Sequence, residues 1–185
     1  MVDNHNVVAI GVQDEERVVL STDGTSDNSY SQPLWSPDSQ TIIAFRQKSV
    51  ERLPVNWIRS SPPGGGRAQL ETRPYVLPGD AFPTYELNLF QVEKREQIKP
   101  EVDAFEHEWL RPRVRFNRDG TKITYEQTDR GHGRFRLIEV KLEDGSVRNL
   151  IDEKTDTFIW TAHTENQNLS IIQWLEKSEE ILYAT

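Results

Sequence analysis

Trp35-Ser-Pro-Asp-Ser-Gln-Thr-Ile42-Ile-Ala-Phe45 runs from an aromatic residue through a polar turn to an apolar residue seven places on, and ends in a strand. The same arrangement returns as Phe116-Asn-Arg-Asp-Gly-Thr-Lys-Ile123-Thr-Tyr125 and as Trp174-Leu-Glu-Lys-Ser-Glu-Glu-Ile181-Leu-Tyr183. Turn-forming residues between two extended runs are what a hairpin requires. Copies of one hairpin tens of residues apart predict a repeat architecture, the β-propeller. The expected fold class is all-β: an incomplete β-propeller of about three blade-like antiparallel four-stranded units.

Working outward, Val7–Val12 and Arg17–Leu20 read as a strand and its return, the end of one blade over residues 1–30. Residues 31–98 read as the next blade, with strands near Trp35, Ile42 and Tyr85–Val92. Inside it, Ser60-Ser-Pro-Pro-Gly-Gly-Gly-Arg67 is excluded from a central strand by its prolines and glycines and is expected to be an exposed excursion. Pro74–Pro83, with three prolines, is expected to be ordered but irregular. Residues 99–156 read as a further blade of four strands joined by short turns. There Val114, Phe116, Ile123 and Tyr125 share one face by period two. Phe135, Leu137 and Glu139 oppose Arg136, Ile138 and Val140. Residues 157–185 read as the start of another blade. The intervals from Trp35 to Phe116 and from Phe116 to Trp174 both exceed the roughly 40–45 residues of a minimal repeat. The excursion and the Glu106–Arg113 segment account for the surplus in the first. One stretch, Ala104–Leu110, has helical spacing between Phe105 and Trp109, bounded by Pro100 and Pro112.

The formal charge of −8 argues against nucleic acid and against an anionic membrane surface, both of which call for basic residues. With no cysteine, disulfides, zinc ribbons and thiol catalysis are excluded. No apolar run approaches a membrane span, and Met-Val-Asp-Asn-His-Asn lacks the pattern of a signal peptide.

No serine stands in the Gly-x-Ser-x-Gly elbow that would position a hydrolase nucleophile. His5, His107, His132 and His163 therefore have no partner for acyl transfer, and they form no close metal-binding pair. Asp14-Glu15-Glu16, Asp152-Glu153 and the Asp23/Thr25/Asp27 set do not match a calcium loop and read as solvated turns. Gly64-Gly-Gly66-Arg67 lacks the lysine and helix of a phosphate loop. Trp35, Phe116 and Trp174, by their shared phase, are expected to pack in the core rather than stack on sugars. Trp57, Trp109 and Trp160 lie off that phase and suit a lip or partner surface. The expectation is that this chain supplies no catalytic residue, no cofactor-binding residue and no metal ligand, and needs no cofactor.

Asp27-Asn-Ser-Tyr-Ser-Gln-Pro-Leu-Trp-Ser-Pro-Asp38, Leu77-Pro-Gly-Asp80, Arg130-Gly-His132, Arg136-Leu-Ile-Glu-Val140 and Leu150–Ile159 occur in this order. Trp-Ser-Pro-Asp alone is common to many propellers. The ordered set resembles the N-terminal β-propeller region of dipeptidyl peptidase IV-like serine peptidases, of the prolyl oligopeptidase class, over nearly the whole chain. The resemblance implies an eight-bladed propeller capping an α/β-hydrolase domain that carries the Ser-Asp-His triad. The propeller there admits short peptides and helps anchor the substrate amine. Relatives of this kind continue past Ile181-Leu-Tyr183 with Glu-Arg-Asp-Gly-Trp. The chain is thus expected to correspond to about three of the eight blades, without the hydrolase domain.

One departure bears on specificity. The family carries a Glu-Glu pair shortly before the segment that holds Tyr30. Here the neighbourhood reads Leu20-Ser-Thr-Asp-Gly-Thr-Ser-Asp27, with no paired glutamates, and Asp23 and Asp27 read as turn residues. The partners implied are the α/β-hydrolase domain of the parent chain and a peptide substrate, with no nucleic acid and with self-association open through uncapped propeller edges. The resemblance implies a periplasmic or extracellular location. The alternative, from another class, is a stand-alone β-propeller-type protein-interaction module without enzymatic role.

Overall fold

A computed structural model describes residues 1–13, 15–106, 113–159, 172–175, 177–178 and 180–183. Among them are sixteen strands and no helix, and every strand pairing is antiparallel. The first sheet is β1 (Val2–Asp3), β2 (Asn6–Ile10) and β3 (Arg17–Val19). The second begins with β4 (Asn28–Trp35) and β5 (Thr41–Lys48). The chain then leaves it as a separate hairpin, β6 (Pro54–Arg59) and β7 (Gln69–Pro74), and returns as β8 (Thr84–Gln91). β9 (Glu96–Ile98) and β10 (Phe105–Glu106) both pair with β8, one after the other. They act as one fourth strand broken across Pro100, which has no N–H to give a ladder.

The third sheet is an uninterrupted meander of β11 (Arg115–Phe116), β12 (Lys122–Thr128), β13 (Arg134–Lys141) and β14 (Val147–Lys154). A last hairpin joins β15 (Ile172–Trp174) to β16 (Ile181–Tyr183). The second unit thus starts at Asn28 and runs to Glu106, a few residues beyond the expected 31–98. Phe105 and Glu106 are strand, not helix, because the open edge of β8 at Thr84 and Tyr85 takes their backbone groups. The remainder of that stretch, 107–110, lies outside the described residues.

The three sequence copies fold alike. Trp35 faces Ile42, Phe116 faces Ile123 and Trp174 faces Ile181 across their hairpins. The turns share their bonding. The N–H of Ser36, Asn117 and Leu175 donates to the carbonyl five residues on, at 2.8, 3.1 and 2.8 Å. In the first two copies the side chains repeat as well. Ser36 Oγ and Asn117 Oδ1 accept from the N–H of Thr41 and Lys122, and Asp38 and Asp119 accept from Gln40 and Thr121. These polar residues hold the turn by satisfying its backbone donors, which is why such turns carry them.

Strand alternation then stacks the sheets. Ile42, Ala44 and Phe90, with Tyr30 of the same sheet, meet Val7 and Ala9 of the first sheet and Leu20 just past it. Ile43, Phe45, Leu87 and Leu89, on the other face, meet Ile123, Tyr125, Ile138 and Val140 of the third. Phe135 and Leu137 turn away from that cluster to Ile172, with Trp174 and Ile181 packed alongside. Face-to-face stacking of twisted four-stranded meanders is the layout of successive propeller blades. The hairpin aromatics depart from expectation. Trp35 is 47% exposed, and Phe116 and Trp174 are only partly buried. Each opens its unit on the first strand, which has no neighbour on one side, whereas Ile42 and Ile123 sit on the flanked second strand and are buried.

Candidate functional site

Gly120 fixes the relative ends of the sheets: a Cβ there would meet the Pro37 ring at 3.2 Å, so turns 36–40 and 117–121 share one rim. The opposite ends of the sheets carry loop 20–27, the connection with the β6–β7 hairpin and the 129–133 turn, and segment 99–104, the break between β9 and β10, runs along the edge of β8 and reaches them through Lys99 and Asp103. Two polar clusters lie on this second rim, one at each seam between sheets.

The first cluster centres on Asp23 and Tyr30. Gly24 lets loop 20–27 lie against the chain, since a Cβ would come within 2.1 Å of the His5 carbonyl oxygen. Asn6 Oδ1 accepts from Gly24 N–H (2.8 Å) and Ser21 Oγ (3.1 Å), stitching loop to first sheet. Tyr30 Oη donates to Asp23 (2.9 Å) and accepts from Gln97 Nε2 (2.8 Å), which also donates to buried Asn88 (2.9 Å). Arg46 lies between Asp23 (2.6 Å) and Glu86, and Lys99 Nζ stands 3.3 Å from Asp23. Burial pushes the Asp23 carboxyl up, but the hydrogen bonds from Tyr30 and Lys99 and the charge of Arg46 outweigh it and hold it below its ordinary value. Burial first, and then the bond to Asp23, raise the Tyr30 phenol. Asp23 is therefore committed internally to one phenol and two cations. Asp27 is held within its own turn by Thr25 and Ser26.

The second cluster was not singled out from sequence. Arg136, with a side chain 6% exposed, donates to Asp103 (2.8 Å) and to Asp129. Its cross-strand neighbour Gln127 is also buried. Arg130 bridges to Glu106 (3.2 Å) and lies over the Phe82 ring at 4.3 Å. Period-two reading assigned Arg136 to the same face as Ile138 and Val140, and that placement was the available signal.

The remaining candidates are dispersed. His5 sits in the β1–β2 turn, with its carbonyl accepting from Tyr30 N–H at 3.1 Å. His132 is a packing residue: its ring stacks on Phe158 at 4.6 Å and its backbone carbonyl accepts from Ile159. His107, His163, Asp14, Trp109 and Trp160 lie outside the described residues. Asp152 takes both nitrogens of a forked bond from Arg134 (2.7 and 2.6 Å), which holds its carboxyl at about 2. Glu153 accepts from Tyr183. Gly64–Gly66, all at positive φ, turn the β6–β7 hairpin in open space, and Arg73 of that hairpin covers half-buried Trp57. Among the described residues no three His, Cys, Asp or Glu side chains converge on a metal-sized site, and no helix is long and apolar enough to cross a membrane.

Comparison with known proteins agrees with this architecture. Porphyromonas gingivalis dipeptidyl peptidase 4 superposes with a TM-score of 0.63 at 12% identity, covering 94% of this chain and 26% of that one. A Bacteroides ovatus protein described as a dipeptidyl aminopeptidase IV gives 0.53 at 9% identity, covering 83% and 25%. The chain thus spans about a quarter of the length of these structures, and at such identities the likeness concerns the fold alone. No curated protein sequence matches. The family described as dipeptidyl peptidase IV (DPP IV) N-terminal region matches residues 28–185. With that match over most of its length and an open stack of antiparallel blades, the chain belongs to the dipeptidyl peptidase IV N-terminal region family.

Proposed function

We propose that this chain is the non-catalytic propeller portion of a dipeptidyl peptidase IV-like serine peptidase, which gates and shapes a peptide-substrate cavity and docks an α/β-hydrolase domain. The observation that carries this reading is the rim shared by loop 20–27, segment 99–104 and the 129–133 turn. It presents charged side chains held in place by their neighbours. Such a rim suits a wall against which another domain and a peptide can sit. The reaction it serves is peptide-bond hydrolysis, with nucleophile, base and oxyanion hole supplied by the hydrolase domain. Asp23 does not take the role of an amine anchor, because its charge is already balanced by Arg46 and Lys99.

The test compares the 185-residue chain alone with the same chain fused ahead of an α/β-hydrolase domain from a dipeptidyl peptidase IV-like protein. The expected result is no turnover of Xaa-Pro chromogenic peptides by the chain alone, and hydrolysis of short peptides but not of a folded protein by the fusion. Turnover by the purified chain alone, or a fusion without size discrimination, overturns the proposal.

The β6–β7 hairpin favours a second reading, a protein-interaction module. Its Pro54, Asn56, Ile58, Leu70, Thr72 and Pro74 face carries no charge, and Ile58 and Leu70 are 68% and 71% exposed. A chain that sediments as a stable monomer and holds a specific protein partner supports this reading. Aggregation or swapping through uncapped edges supports the first.

A further inference from the structure

The β6–β7 hairpin stands apart from the stacked sheets as a ribbon of two strands with no third strand beside it. Such a ribbon is marginal in water by itself, so its tip opens before the sheets do. Residues 63–70 are all exposed. Within residues 60–68, among the described residues, the tip is crossed by a single backbone bond, from Gly65 N–H to the Pro62 carbonyl at 3.0 Å. Gly64, Gly65 and Gly66 have positive φ and nothing within 4 Å of where a Cβ would stand. A glycine run in open space can swing to an extended form without a clash.

Arg67 follows these glycines. It is exposed and pairs with no described residue, whereas Arg59 is held by Glu71 at 2.5 Å and Arg73 lies over Trp57 and Tyr75. Other basic residues are less open to attack. Arg73, Lys99 and Arg111 each precede a proline, whose nitrogen carries no hydrogen and whose rigid ring fits an endopeptidase cleft poorly. Arg52 is exposed, but Leu53 after it is tied to the base of the hairpin, its carbonyl accepting from Tyr75 N–H at 3.1 Å. Arg118 lies inside a turn closed by Gly120 N–H on the Asn117 carbonyl at 3.1 Å.

We propose that Arg67–Ala68 is a processing site, cut by a trypsin-like endopeptidase acting from outside the chain. The free guanidinium is the group that the specificity pocket of such an enzyme takes, opposite a carboxylate. One water adds across the bond. The Arg67 carbonyl carbon becomes a carboxylate, the Ala68 nitrogen leaves as an ammonium, and nothing is oxidised or reduced. The cut parts β6 from β7 at their tip without unmaking the stack. Residues 1–67 keep β4 and β5, residues 68–185 keep β8, and the eight-pair register of β5 on β8 and two buried clusters hold the parts together. The site thus acts on the hairpin and its charge-free face alone. This goes beyond the proposed peptidase role and does not depend on it.

The test exposes the full chain to a trace of trypsin. Intact-mass spectrometry identifies the products, and size-exclusion chromatography without denaturant shows whether they stay together. The first products expected are 1–67 and 68–185, which co-elute where the uncut chain does and part only in urea. Arg67→Gln is expected to slow the first cut by about tenfold or more, and Arg67→Lys to restore it. Both changes lie in open space, and an unchanged urea midpoint verifies that the variants fold. A first cut at any other bond, an undiminished rate in Arg67→Gln, or fragments that separate without denaturant overturns the proposal.

Discussion

Replacing Ile123 by alanine probes whether the seam between the second and third sheets is a packed core. Ile123 is fully buried on a flanked strand, opposite Phe116 and Val140, inside the cluster that joins the second and third sheets. The change removes three carbon centres, worth about 0.8 kcal/mol each in transfer, or about 2.4 kcal/mol. The cavity left between two sheets adds to this, and a total of about 3–5 kcal/mol is expected. Ile42, nearly as buried against the first sheet, is expected to match it. Ile181 is only partly buried in a two-stranded hairpin, so Ile181→Ala is expected to cost about 1 kcal/mol. Urea unfolding followed by tryptophan fluorescence, with m unchanged, measures all three. A loss below about 1 kcal/mol at Ile123 would refute the idea that this seam is a packed core.

Tyr30→Phe removes a hydroxyl that serves Asp23 and Gln97 together. It is expected to destabilise the chain by about 1.5–3 kcal/mol, measured by the same unfolding curves. Gly24→Ala forces a Cβ onto the His5 carbonyl and is expected to cost about 1–3 kcal/mol and to lower protection of the Tyr30 amide in hydrogen exchange. The Asp152 carboxyl is held at about 2 against an ordinary 3.8, so its contribution is present above pH 3.8 and fades as pH falls toward 2. Asp152→Asn is expected to flatten the fall in urea midpoint over that window; an unchanged slope would remove the Arg134 fork from any role in acid stability.

Much of the fold was legible because it is local. Each turn is closed by side chains within five residues of the bonds they make, as Ser36 with Thr41 and Asn117 with Lys122. The Pro/Gly stretch declared its exposure because Pro62 and Pro63 cannot serve a central ladder and three glycines fill the turn. The site was less legible. Asp23, Arg46, Glu86 and Lys99 come together from four separate segments, and Asp103, Gln127, Asp129 and Arg136 from three at the next seam. Nothing in their spacing marks them.

By itself the sequence determined the period-two faces, the three hairpins and the family, since backbone bonding and strand alternation depend on neighbours along the chain. Only the tertiary structure decided that Asp23 is paired with Arg46 and Lys99, that Trp35 stays half in water, and that Arg136 and Gln127 lie side by side and buried at one seam. Those outcomes depend on which sheet lies against which, and burial and charge pairing are set by neighbours in space.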